Sequence, residues 1–306
     1  MYHGKYEFLD FISGDVSVNY EVLGTDERPI VSPNKKLKTY HSFLNLFVFQ
    51  HLLVNEDVVF SYRKGTRVLD AVIRHAANRY FYQTDLSNFF QSLKTPVIKQ
   101  TIEESLDRFA VDDVGSHIDR IIDLVTIDGS MPVGFSTSPH ISNGCLYHFD
   151  NRLQEYCHQG GLVFTRYSDD LIISSDNKES LQGIDKTVGG ILQDLFADDL
   201  TINEGKSKFS SRGQKIKLLG LVIHHDGNVS VDSKLKQDVE VLLHFYLNDR
   251  KRFLDKLDGD AKGGIERVSG YLNYIGTVDP DYLDKLRKKY GLTVVDMFFH
   301  RSATLG

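Results

Sequence analysis

From residue 39 to residue 54 the chain reads TYHSFLNLFVFQHLLV, with apolar positions spaced for one face of a helix. Residues 66–78, TRVLDAVIRHAAN, repeat that period and open on Thr66, a residue type suited to cap a helix N-terminus. The period then changes. YFYQTDL, residues 80–86, is strand-like, and SNFFQSLKTPVIKQTIEESLDRF follows as loop and helix, with Pro96 placed for a first turn. Residues 139–157 predict one long helix starting near Pro139, residues 162–175 a β-hairpin, and residues 178–198 an amphipathic helix. LTINEGKSKFS reads as strand and loop, and KIKLLGLVIHHDGNVSV as two strands turning at Asp226-Gly227. From residue 232 onward the pattern is helical, with Val239, Leu242, Leu243 and Phe245 as apolar positions. The order predicts an α+β fold: a central antiparallel sheet with helices, then a helical C-terminal third.

One position breaks the pattern. In FTRYSDDLIISS, residues 164–175, Asp169 and Asp170 interrupt a run of strand-favouring residues. Two adjacent carboxylates repel each other and gain nothing from burial. A divalent cation gives them a purpose, because Mg²⁺ is held through one or two carboxylates while substrate phosphates and water fill its other positions. Asp85 ends the strand-like run YFYQTD and supplies a carboxylate from a neighbouring strand. Alone, an Asp-Asp pair in a turn is usually structural; with Asp85 it fits two-metal phosphoryl transfer.

Composition narrows the classes. The 306 residues are 41% apolar and 25% charged, an ordinary globular balance. No apolar run approaches the roughly 18 residues of a membrane span. The first residues, MYHGKYEFLDF, lack the basic flank and apolar core of a secretory signal. Two cysteines, Cys145 and Cys157, show no zinc-ligand spacing and no disulfide framework, so a reducing, cytoplasmic location is expected. Net charge is −6, yet the cations cluster: Lys35, Lys36 and Lys38; Arg63, Lys64 and Arg67; Lys206, Lys208, Arg212, Lys215 and Lys217; Lys285, Arg287, Lys288 and Lys289. Each cluster is either a solvated face or a grip on a phosphate backbone.

QTDLSNFFQSL, MPVGFSTSPHISN, RYSDD, INEGKSKF and KLLGLVI follow one another in that order, and together they resemble the reverse transcriptases, among them the bacterial retron and defence-associated enzymes. QTDLSNFFQSL resembles the first palm motif, MPVGFSTSPHISN the second, RYSDD the Tyr-X-Asp-Asp turn, INEGKSKF the lysine motif and KLLGLVI the Leu-Gly hairpin at the thumb base. Upstream, ERPIVSPNKKLK resembles a fingers segment, and FSYRKGTRVLDAVIRH the stretch before the first palm motif. The resemblance covers roughly residues 20–290 and implies a right-hand polymerase. Residues 1–84 would form an N-terminal segment and fingers, residues 85–230 a palm with a fingers insertion at about 94–130, and residues 231–306 a helical thumb.

Carried over position by position, the resemblance makes Asp85 and Asp169 the ligands of two Mg²⁺ ions (Mn²⁺ as a substitute), with Asp170 and the Leu86 carbonyl helping to hold them. Phe90 would be a steric gate against a ribose 2′-OH. Tyr167 would pack at the primer terminus, and Lys206, with Lys208 as fallback, would face the leaving pyrophosphate. Arg28, then Lys35 or Lys36, would contact triphosphate or template. Gly134 and Val133 would lie at the nucleotide. Val133 is a departure, since the family has glutamine there, and Ser136 stands where a proline often follows. That keeps open untemplated or protein-directed synthesis by the same palm, or a catalytically weak RNA-binding scaffold. Two further departures, Asp70-Ala71 out of step with His75 and Leu218-Leu219-Gly220 at the thumb base, place a defence-associated enzyme ahead of a true retron, with group II intron origin third. The partners implied are dNTPs, a DNA product and an RNA template, often a dedicated non-coding RNA. A second effector or polymerase protein is a further expectation. Overall acidity adds an oligomer that pools its basic faces as an alternative to shaped recognition of one RNA.

Overall fold

Strand-favouring residues at 80–86 and 162–175 do pair, and they carry the carboxylates to one sheet end. The computed structural model describes residues 8–15, 19–25, 28–213, 215–257 and 261–300. Its strands are β1 (Tyr20–Thr25), β2 (Arg28–Pro33), β3 (Tyr80–Asp85), β4 (Val163–Tyr167), β5 (Asp170–Ser175), β6 (Lys208–Ser211), β7 (Ile216–Leu218), β8 (Leu221–Ile223) and β9 (Val229–Val231). β1 and β2 form a two-stranded antiparallel ribbon. The central sheet has the order β4-β5-β3-β6, and both β3–β5 and β4–β5 are antiparallel. β7, β8 and β9 form a separate sheet, with the turn through Asp226-Gly227 where the sequence placed it.

The helices are α1 (Phe8–Ser13), α2 (Lys35–Phe47), α3 (Val68–Arg74), α4 (Phe89–Ser92), α5 (Thr95–Glu103), α6 (Ile118–Val125), α7 (Ser138–Cys145), α8 (Tyr147–Gln159), α9 (Ile184–Phe196), α10 (Ser233–Asn248), α11 (Arg250–Asp255), α12 (Ala261–Val278), α13 (Pro280–Tyr290) and α14 (Leu292–Phe299). The chain divides into two compact units, residues 1–210 and 211–306. In the first, α3 and α8 pack on β4. Phe81, Tyr82, Leu171, Ile172 and Ile173 are buried in the sheet, and Phe149, Leu153, Val188 and Leu192 are buried on α8 and α9. Each such side chain contributes roughly 1.5–3 kcal/mol through removal from water. The second unit holds the β7–β9 sheet and the helices α10–α14, around Leu243, Phe253, Leu272 and Phe298.

Several local expectations change: the run expected as two strands is three, β7 to β9, and the helix expected over 178–198 is confined to α9. The helix over 139–157 is two helices, broken at Leu146. Gly144 sits at that break because a Cβ there would come within 2.8 Å of Thr101 and 3.1 Å of Leu52. The helix over 66–78 shrinks to α3, and Thr66 does not cap it: its hydroxyl donates to the Phe60 and Arg63 carbonyls, while Asp70 accepts the Arg67 N–H at 2.8 Å. The helix over 39–54 begins earlier, on the Asn34 cap, and ends at Phe47.

Candidate active site

The register of the central sheet assembles the site. Asp85, the last residue of β3, pairs with Asp170, the first of β5, and Tyr167 at the end of β4 pairs with Asp170 as well. Directly paired residues project to the same face, so two carboxylates stand side by side. The Leu86 N–H donates to the Asp169 carbonyl at 3.1 Å, fixing the next residues along both chains. Asp85 is 7% exposed and its Oδ1 is buried without a hydrogen-bond partner. Its Oδ2 accepts from the Lys206 ammonium at 2.8 Å and from Asn203 Nδ2 at 3.4 Å. The Asn203 N–H also donates to the Asp85 carbonyl at 2.8 Å, so the 203–206 turn is bolted to the end of β3.

The charges confirm the crowding. Asp170 is exposed at the strand start, yet its carboxyl is pushed up to about 6 by desolvation and then by the Asp169 and Asp85 carboxylates. Lys206 is shifted upward by its bond to Asp85. A buried, unpartnered carboxylate oxygen beside two further acids is an anionic socket, and a divalent cation fits it by the chemistry of the donors. Among the described residues, no cluster of three or more His, Cys, Asp or Glu side chains is already arranged to hold a metal ion. Mg²⁺ does not require one, since it keeps water and substrate phosphates in most of its positions.

Asn88, at φ 46°, turns the chain sharply after β3 and opens α4. Phe89 goes into the core at 5% exposure, whereas Phe90 is half-buried against it, ring centroids 5.2 Å apart. Val133 and Gly134 are joined to β2: the Val31 N–H donates to the Val133 carbonyl at 2.7 Å. Gly134 has φ 111°, and a Cβ on it would fall 2.2 Å from the Val31 carbonyl oxygen, so only glycine fits. Val133 is half-buried. Lys35, Lys36 and Lys38 lie exposed on α2. The Arg28 side chain lies outside the described residues.

Sequence reasoning missed what stands behind the turn. Arg166 and Asp150 are both 0% exposed and form a bidentate ion pair, 2.7 Å from Nε and 2.6 Å from Nη2. Burial pushes the Asp150 carboxyl up while the guanidinium pulls it down; the two-point grip requires the carboxylate form. Arg166 Nη1 also donates to Asn143 Oδ1 at 3.0 Å and to the Ser168 carbonyl at 3.1 Å. The one available signal was an arginine between Thr165 and Tyr167 in an otherwise buried strand. Beside it, His75 is buried between the Ser174 and Thr165 hydroxyls, and burial holds it down at about 3, hence neutral.

Comparison with known proteins agrees with this geometry. A family model described as "Reverse transcriptase (RNA-dependent DNA polymerase)" matches residues 24–223, the span from the β1–β2 ribbon to β8. The chain belongs to the reverse transcriptase family. Among curated proteins, the Retron Ec73 reverse transcriptase of Escherichia coli is 26% identical over 272 residues, covering 86% of this chain and 83% of the relative. The Retron Ec83 reverse transcriptase of the same organism is 22% identical, covering 88% and 84%. Among solved structures, apo telomerase from Candida tropicalis matches with TM-score 0.49 and 14% identity, over 93% of this chain and 66% of that one. The enzyme is an RNA-directed DNA polymerase with a reverse transcriptase domain, and its curated relatives fall on the retron side of the two branches that the motifs resemble. No helix among the described residues is long and apolar enough to cross a membrane.

Proposed function

We propose that this reverse transcriptase adds dNTPs to a primer 3′-OH on a dedicated non-coding RNA, using Mg²⁺ held by Asp85, Asp169, Asp170 and the Leu86 carbonyl, and that it serves bacterial antiphage defence. The observation that carries the chemistry is the pairing of Asp85 with Asp170 around an unpartnered carboxylate oxygen. Two bound Mg²⁺ supply Lewis-acid stabilisation of the attacking and leaving oxygens in an in-line displacement. The chain's own residues do the rest. Lys206, 67% exposed and already turned toward the carboxylates, reaches for the departing pyrophosphate to neutralise charge or give up a proton. Phe90, the ring left partly outside the core, faces the sugar and selects deoxyribose by shape. Tyr167, half-buried beside Asp170, packs at the primer end. Arg28 at the start of β2 and the Val133-Gly134 loop docked on that strand serve the nucleotide. The defence role rests on resemblance to retron and defence-associated enzymes, and is tested by phage plating on cells carrying the gene or its Asp169→Ala form.

The deciding experiment purifies the protein with its bound nucleic acid and supplies labelled dNTPs with Mg²⁺, with chelator, after RNase, and to Asp169→Ala. RNase-sensitive, Asp169-dependent DNA supports the proposal. A second reading keeps one observation on its side: Val133 cannot make the polar contact that glutamine makes in the family. RNase-resistant synthesis restricted to particular dNTPs would favour untemplated or protein-directed polymerisation. No incorporation under any condition would leave an RNA-binding scaffold.

A further inference from the structure

We infer that Tyr62 is a positioning residue of the polymerase centre, its hydroxyl latching the Ser168 turn that presents Asp169 and Asp170. The inference rests on the polymerase reading of that site, and on a part of the chain that none of the assigned roles uses. Tyr62 Oη lies 2.8 Å from Ser168 Oγ. Both residues adopt left-handed backbone, φ 56° and 59°, which non-glycine residues occupy only where the surroundings impose it. The surroundings here are a short stretch of chain bound along the free side of β4. Val59 bridges Arg166 in parallel, the Arg166 N–H donates to the Val58 carbonyl at 2.7 Å, and the Phe60 N–H donates to the Arg166 carbonyl at 3.0 Å. One residue on, the Ser168 N–H donates to Ser61 Oγ at 2.7 Å, and Asn143 Nδ2 donates to the Ser61 carbonyl at 2.8 Å. Residues 58–62 therefore grip the turn at successive points, and the last is a side-chain hydroxyl pair that joins the exposed Tyr62 to the buried Ser168.

That last contact differs in kind from the others. Val59 and Ser61 are fully buried and belong to the core, whereas Tyr62 is 39% exposed. Losing its hydroxyl opens no cavity in the core; the group left without its partner is the Ser168 hydroxyl, on a residue 8% exposed. What it changes is the freedom of Ser168, whose next two residues are the carboxylates. Tyr62 also leads directly into Arg63-Lys64-Gly65-Thr66-Arg67, with Lys64 exposed and Gly65 turning at φ 86°. Nucleic acid held by that basic segment would thus pull on the same residue that sets the turn.

The test compares Tyr62→Phe, Ser168→Ala and the double variant in the full-length protein, on poly(rA)/oligo(dT) with dTTP and Mg²⁺. Each single variant is expected to lower kcat about tenfold, with KM for dTTP and Tm unchanged, and the double variant to lose no more than the worse single one. Hydrogen exchange of residues 166–171 should quicken in Tyr62→Phe. Unchanged kcat, losses that multiply, or a kcat loss tracked by Tm would each overturn the latch. A wild-type protein that incorporates no dNTP on this template or on its co-purified nucleic acid would instead remove the polymerase reading, and hydrogen exchange would still judge the contact.

Discussion

The roles proposed for Asp170 and Lys206 make the enzyme's working conditions testable at single residues. With its carboxyl pushed up to about 6, Asp170 is protonated in mildly acidic solution, and the proposed cation would compete with that proton. Activity at low Mg²⁺ should therefore fall below about pH 6, and raising Mg²⁺ should move that acid limb to lower pH. For folding the sign is opposite to the usual carboxylate. The folded-state value lies above the unfolded one, so the metal-free protein loses stability as pH rises from about 4 to about 6, and Asp170→Asn should flatten the change. Thermal melts in chelator across that range check it. Lys206→Ala should slow incorporation by about 10²-fold or more while freeing Asp85 Oδ2, so metal binding, followed by the Mn²⁺ spin-resonance signal, should tighten rather than weaken. Loss of both activity and metal affinity would show that Lys206 is needed to shape Asp85. The gathering of Asp85, Asp169, Asp170 and Lys206 was the most legible part of the sequence, because they sit in short motifs whose spacing survives translation into strands and turns. Arg166 was not legible: in a one-dimensional reading a strand arginine is solvated, and only Asp150, sixteen residues earlier on α8, explains its burial.

The hairpin of β4 and β5 depends on that pair. A buried guanidinium left without its carboxylate is an uncompensated charge, so Asp150→Ala should destabilise the protein by about 3–5 kcal/mol. Replacing both partners, Arg166→Met with Asp150→Leu, should recover much of the Tm but not the polymerase rate, since the Ser168 carbonyl and Asn143 lose their donor. Calorimetry beside a primer-extension assay separates the two. At this scale the sequence was right about most element types and less so about their ends. The 139–157 run is periodic enough to look continuous; beside its break Gly144 leaves room for Thr101 of α5, a close approach between residues over forty positions apart that no local pattern announces. Thr66 failed as a cap because its hydroxyl closes the 60–66 loop instead, donating to the Phe60 and Arg63 carbonyls.

Across the whole molecule, the clustered cations prove unequal. Lys215 and Lys217 both bind Asp232, Lys289 binds Glu240, and Arg287 binds Asp284 and Asp296. Those pairs spend charge that the sequence offered to nucleic acid, while Lys285 and Lys288 stay exposed on α13. Lys285→Ala and Lys288→Ala should each weaken RNA binding and reduce its salt slope by about one, whereas Arg287→Ala should chiefly lower Tm. Filter binding from low to high salt distinguishes them. With a net charge of −6, the chain has little capacity to hold arbitrary nucleic acid.

The pairing of Asp85 with Asp170 also limits how this enzyme can change. Side chains alternate along a strand, so inserting or deleting one residue in β3 or β5 would turn one carboxylate to the opposite side of the sheet. Point substitutions there can drift, provided shape and polarity hold. Changes of length between Tyr80 and Asp85, or between Asp170 and Ser175, cannot. Lineages of this enzyme should differ by gained and lost residues in loops, with these two strands counting the same number in each.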